Sequence, residues 1–129
     1  MIYLCFDLGL KNTGVAWADS TKLPQPLTTL HHRDTKHLLD QIKKMIVKHN
    51  PDLVVFGKPS RGVIEDLSKD LKNKLKDFYS GKVYLQDEDF SSQQAQEKII
   101  QTGKSIVKRR RIQHSAAASV VLQNFFDEY

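Results

Sequence analysis

Ile2-Tyr3-Leu4-Cys5-Phe6-Asp7-Leu8-Gly9-Leu10-Lys11-Asn12-Thr13-Gly14-Val15-Ala16-Trp17-Ala18 is the stretch on which the fold turns. An apolar run meets a carboxylate, a short turn follows, and a second run returns. The first run reads as a strand over residues 2–7, buried on both faces, with Asp7 at its C-terminal end. A carboxylate is costly to bury unless a cation or hydrogen bonds compensate it. Strand, acid and turn therefore suggest a corner that binds metal or handles phosphate. An Asp that merely caps the turn is the other reading, and this segment alone leaves both open. Gly9 and Gly14 supply the backbone freedom of the turn into a second strand over 13–18.

Working outward, Thr21 to Pro26 holds two prolines and reads as a loop, followed by a strand at 27–31. Three strands before any helix predict an antiparallel start to the sheet. Asp34 can cap a helix over 35–49, whose Leu38, Leu39, Ile42, Met45 and Ile46 share a face, and Asn50-Pro51 stops it. Leu53-Val54-Val55-Phe56 is a buried parallel strand, and the loop 57–62 follows. A second helix spans 63–79, with Ile64, Leu67, Leu71, Leu75 and Phe78 as its stripe. A fifth strand covers 82–86 and runs into Asp87-Glu88-Asp89. Ser91 with Gln94 opens a helix over 92–102, and a last helix spans 112–127. The order βββαβαβαα predicts an α/β fold: one five-stranded mixed sheet with helices on both faces.

The 129 residues suit a single domain over 1–129, large enough for a core without disulfides. Twenty basic against fifteen acidic side chains leave a net charge of +5, a modest pointer to an anionic partner. The lone Cys5 excludes an internal disulfide and fits a reducing cytosol. No apolar stretch approaches the 18 residues of a membrane span, and the first residues lack the basic start and cleavage site expected of a signal peptide.

In an open α/β sheet, ligands collect at the carboxyl ends of the strands. Asp7, the 57–62 loop and Asp87-Glu88-Asp89 all belong there. Carboxylates from separate strand ends suit a hard cation such as Mg²⁺; a solvated helix N-terminus is the bland alternative for the acidic triplet. His114 shares a helix face with Ala117, Ala118, Val121 and Phe125. It reads either as a metal ligand near Asp7 or as a hydrogen-bonded core histidine. His31, His32, His37 and His49 lack ligand spacing and read as surface residues. Lys108-Arg109-Arg110-Arg111, just before the last helix, is either solvated charge or a phosphate contact. Lys58 and Arg61 could also hold a phosphate backbone. The 57–62 loop is not a Walker A sequence.

Together these residues resemble the YqgF family, the RuvC-like Holliday junction resolvases with a ribonuclease H-like fold. Asp7-Leu8-Gly9-Leu10-Lys11 through Gly14-Val15-Ala16 and Asp19 is similar to its opening Asp-x-Gly block. Val54-Val55-Phe56-Gly57-Lys58-Pro59 resembles its Val-Val-Gly-Leu-Pro segment, and Asp87-Glu88 with Ser91, Ser92 and Ala95 its Asp-Glu-Arg block. His114-Ser115-Ala116-Ala117 through Leu122-Gln123 resembles its final helix. The resemblance implies a cytosolic, metal-dependent phosphodiesterase with two Mg²⁺ or Mn²⁺ ions, held by Asp7, Glu88 and His114. One ion would generate the nucleophile from water and the other would stabilise the leaving 3′ oxygen. Lys11, Lys58, Arg61 and Lys108 to Arg111 would position phosphates. The implied substrates are the precursor of small-subunit ribosomal RNA or branched DNA. Symmetric cleavage of a junction calls for a dimer, and the sequence leaves monomer or homodimer open.

Three departures separate the chain from the family pattern: Asn12 for Arg, Asp89 for Arg, and His114 for Asp. They make a non-catalytic nucleic-acid-binding module on the same fold the main alternative. An actin-like or sugar-kinase-like ATPase shares the Asp-x-Gly start but needs two domains, which this length does not provide.

Overall fold

The computed structural model describes residues 1–87 and 114–129 in full and residues 106–113 as backbone. Five strands form one sheet: β1 (Tyr3–Asp7), β2 (Asn12–Ala18), β3 (Gln25–His31), β4 (Leu53–Lys58) and β5 (Lys82–Asp87). Their spatial order is β3-β2-β1-β4-β5. β1, β2 and β3 pair antiparallel, whereas β4 runs parallel to both β1 and β5. The mixed sheet and its antiparallel start are those expected from the sequence. β3 is an edge strand and begins earlier than expected, so Pro26 lies within it; an edge tolerates a residue without an N–H.

Strand alternation divides the core. Leu4, Phe6, Leu8, Val15, Val54 and Phe56 point to one face, where α1 (Thr35–His49) and α2 (Val63–Leu75) cover them with Leu38, Ile42, Ile46, Leu71 and Leu75. Tyr3, Cys5, Ala16, Ala18, Leu53 and Val55 point to the other, against Ala118, Val121, Leu122 and Phe125 of α3 (Ile106–Glu128). Helices thus cover both faces. Small residues on the sheet meet small residues on α3, which brings helix and strands close together.

α1 has the predicted bounds. The Asp34 carboxylate accepts from the His37 N–H at 2.8 Å, and Asn50 takes the left-handed conformation (φ 46°) that closes the helix. α2 ends earlier than predicted. Its last turn tightens through Lys76 N–H to Asn73 O and Phe78 N–H to Leu75 O, while the Tyr79 hydroxyl donates to Pro51 O at 2.8 Å. Phe78 consequently leaves the apolar stripe and is exposed, with Lys43 Nζ 5.3 Å from its ring centre. α3 starts six residues before the predicted 112, so the 108–111 basic run is part of this helix and does not precede it. The helix expected over 92–102 lies outside the described residues. No helix among the described residues is long and apolar enough to cross a membrane.

Candidate active site

Asp7 closes β1 at the C-terminal edge of the sheet. It pairs with Gly14 on β2 and Gly57 on β4, so glycines flank it on both sides. Only 7% of the residue is exposed. By alternation from Tyr3 and Cys5, its side chain lies on the α3 face.

α3 reaches that face at His114. A Cβ placed on Gly14 would fall 1.8 Å from the His114 carbonyl oxygen, so the helix backbone lies directly against the strand at Asp7's own register partner. Gly14 is therefore a buried strand residue that admits the helix, a different job from the turn expected of it. His114 is half-buried. Burial, followed by the charge of His31, pushes its pKa below the usual histidine value. The ring is held in its neutral form, which is the form that can ligate a metal.

Asp7 and His114 thus come from separate elements to one end of one face. Glu88, the third expected ligand, and Asp89 lie outside the described residues. Among the described residues no three His, Cys, Asp or Glu side chains form a metal-holding group. The buried carboxylate is a donor type that fits Mg²⁺ or Mn²⁺, and the neutral imidazole is the softer donor of the two.

Residues 1–128 match the family profile described as RuvX: Holliday junction resolvase. The chain belongs to the RuvX family. It is 32% identical over 130 residues to the "Putative pre-16S rRNA nuclease" of Thiobacillus denitrificans, covering 96% of this chain and 90% of that protein. A protein of the same description from Buchnera aphidicola is 31% identical over 135 residues, covering 99% and 98% of the two chains. Among solved structures, the fowlpox virus resolvase in complex with Holliday junction DNA aligns at a TM-score of 0.68 and 15% identity, over 99% of this chain and 98% of that one. Thermus thermophilus RuvC with its Holliday junction substrate aligns at 0.62 and 14% identity, over 99% and 95%. The fold is ribonuclease H-like.

Other predicted residues of this RuvX-family chain are dispersed. Lys11 and Arg61 are exposed at the same edge of the sheet as Asp7. The side chains of Lys108, Arg109, Arg110 and Arg111 lie outside the described residues. Lys58 is placed differently from the expected surface loop. β4 continues through it, and alternation sends its side chain to the face opposite Asp7. There its ammonium is buried between Asp87 Oδ1 at 2.6 Å and Glu65 Oε1 at 3.0 Å. Burial disfavours the charge, but the hydrogen bonds to Asp87 and Glu65 outweigh it and raise the lysine pKa. Lys58 joins β4, α2 and the end of β5.

One of the histidines read as surface residues changes standing, and a second keeps it. His32 is buried, with Nε2 2.9 Å from Thr13 Oγ1, and burial lowers its pKa. His31 stays exposed but sits opposite Asn12 at the Asp7 edge. Neither position is visible before the β2–β3 register is known.

Proposed function

We propose that this RuvX-family protein is a divalent-metal-dependent nuclease that hydrolyses phosphodiester bonds of structured nucleic acid, with Asp7, Glu88 and His114 as its metal ligands. The observation that carries this reading is the meeting of buried Asp7 with the His114 turn of α3 across Gly14. The names of the relatives favour the precursor of small-subunit ribosomal RNA as substrate, and those of the structural neighbours favour branched DNA. Of the two, ribosomal RNA processing has the support of the more similar proteins. Such work belongs in the cytosol, where a cysteine outside any disulfide, such as the buried Cys5, stays reduced.

Two bound Mg²⁺ or Mn²⁺ ions would supply Lewis acidity at the scissile phosphate and a water of lowered pKa. Asp7 would contribute a buried carboxylate to hold them. His114 would contribute a neutral nitrogen from the helix turn that packs on Gly14. Lys11 and Arg61, exposed at the same edge, and the 108–111 run position phosphates and carry little sequence information.

The test is Asp7→Asn. The swap is nearly isosteric and removes the charge that attracts cations. The variant should melt at or slightly above the parent's temperature, bind Mn²⁺ more weakly and lose cleavage of a structured RNA or a four-way DNA junction. Parent-like cleavage in Mg²⁺ would refute the assignment. Cleavage absent from both proteins, with nucleic-acid binding intact, would favour the non-catalytic binding module.

A further inference from the structure

His31 closes the edge strand β3 directly opposite Asn12 on β2. Alternation from Gly14 places Asn12, and with it His31, on the α3 face that carries Asp7. Although exposed, this histidine is held from several directions. Its Nδ1 is hydrogen-bonded to Asn12 Oδ1. Its carbonyl accepts from Gln41 Nε2 of α1 at 3.0 Å. The next N–H in the chain, that of His32, donates to Lys11 O at 2.9 Å, and the His32 ring is anchored to Thr13 on the opposite face.

An amide oxygen only accepts, so the ring proton facing Asn12 is on Nδ1. Nε2, on the far side of the ring, has no hydrogen-bond partner among the described residues. An arginine at position 12 carries only donors and could not hold the ring this way. The ring also lies within electrostatic reach of His114. Surface imidazoles normally sample several rotamers; this one has its orientation chosen at the edge where Asp7 and His114 meet.

We propose that His31 is a substrate-contact residue of this centre, aimed by Asn12 so that Nε2 hydrogen-bonds a backbone phosphate of nucleic acid lying across Asp7. The inference rests on the nuclease reading above for where the strand lies. With both ring nitrogens carrying a proton, Nδ1 donates to Asn12 and Nε2 to the phosphate. Asn12 acts only through His31 and is a positioning residue.

The test uses the full chain, with a labelled four-way DNA junction and a labelled RNA hairpin as probes. Binding is measured in Ca²⁺ over a salt series, and thermal melts check the fold of each variant. His31→Ala should weaken binding about 3- to 10-fold and reduce the slope of log affinity against log salt by roughly one unit, the signature of one lost phosphate contact. His31→Arg, which keeps a phosphate donor, should restore the slope. Asn12→Leu should weaken binding in the parent background and add nothing in His31→Ala, because its effect passes through the ring. An unchanged affinity and slope in folded His31→Ala would overturn the proposal, and so would additive losses in the double variant. Asp7→Asn, measured alongside, separates the two readings. Cleavage lost there with an unchanged slope in His31→Ala overturns only the His31 contact. Cleavage retained there with a reduced slope in His31→Ala supports the contact and removes the Asp7 metal centre.

Discussion

Gly14→Ala should be among the most damaging single-methyl additions to this protein. The new Cβ would lie 1.8 Å from the His114 carbonyl oxygen, 2.3 Å from its carbon and 2.9 Å from Ser115 N. All three are backbone atoms, so no side-chain rotation relieves the clash. Ordinary contact begins near 3.4 Å, and α3 must retreat from β2 by a distance on the order of 1.5 Å. Inserting a methyl group into a packed core costs about 1–3 kcal/mol, occasionally more. The rigid backbone contact puts this case near the upper figure, because Ala117, Ala118, Val121 and Leu122 follow the helix outward from the sheet. About 3 kcal/mol in a domain of this length corresponds to a melting temperature roughly 10 °C lower. Urea unfolding followed by circular dichroism gives the free energy. A Mn²⁺ titration of the folded variant then reads whether displacing His114 weakens metal binding, as its proposed ligand role requires. A variant melting within about 2 °C of the parent would show that the helix does not rest on Gly14, and the route by which the fold sets the site would fail.

Lys58→Met should destabilise the protein by about 2–3 kcal/mol; this is below the usual cost of breaking a buried pair because Asp87 is 59% exposed and can rehydrate. The raised lysine pKa stabilises the parent at pH values below about 10.5, and that contribution is lost as pH climbs through the higher folded-state value; alkaline urea titrations of parent and variant should converge. At the acid end, the pKa values of His32 and His114 are both lowered from 6.5. The unfolded chain therefore takes up protons first as pH falls through 6.5, and stability should decline below it. His114→Gln should shallow that decline, and an unchanged acid limb would mean that His114 is not desolvated in solution. If His114 is a metal ligand as proposed, cleavage by the parent should fall over the same interval in Mn²⁺, because an imidazolium cannot ligate.

Much of the fold was legible because burial wrote itself into apolar runs. β1 and β4 are covered on both faces and read as continuous apolar segments. α1 carried its cap, stripe and stop in the chain. The errors occurred where tertiary contacts overrode local pattern. Phe78 continues the α2 periodicity, but Tyr79 is drawn away to Pro51, and the helix ends at Leu75. The basic run reads as a separate segment, yet the α3 backbone is helical from Ile106 onward.

The sequence offered residue types for the candidate site but not their faces, because a strand residue has a face only once the strand's extent and register are known. Lys58 shows the first condition. Ending β4 at Phe56 makes it a loop residue free to meet a phosphate. Continuing the strand by two residues gives its side chain a direction, away from Asp7 and into Glu65 and Asp87. His31 shows the second. Nothing in its neighbours along the chain marks it, and a slip of one residue between β2 and β3 would turn its ring to the α1 side and bring His32 to the Asp7 face. The observed register is pinned by the His32–Thr13 bond beneath the sheet and the His31–Asn12 bond above it. The pairing that buries one histidine therefore also presents the other, and the chemistry available at the Asp7 edge follows from strand register as much as from residue identity.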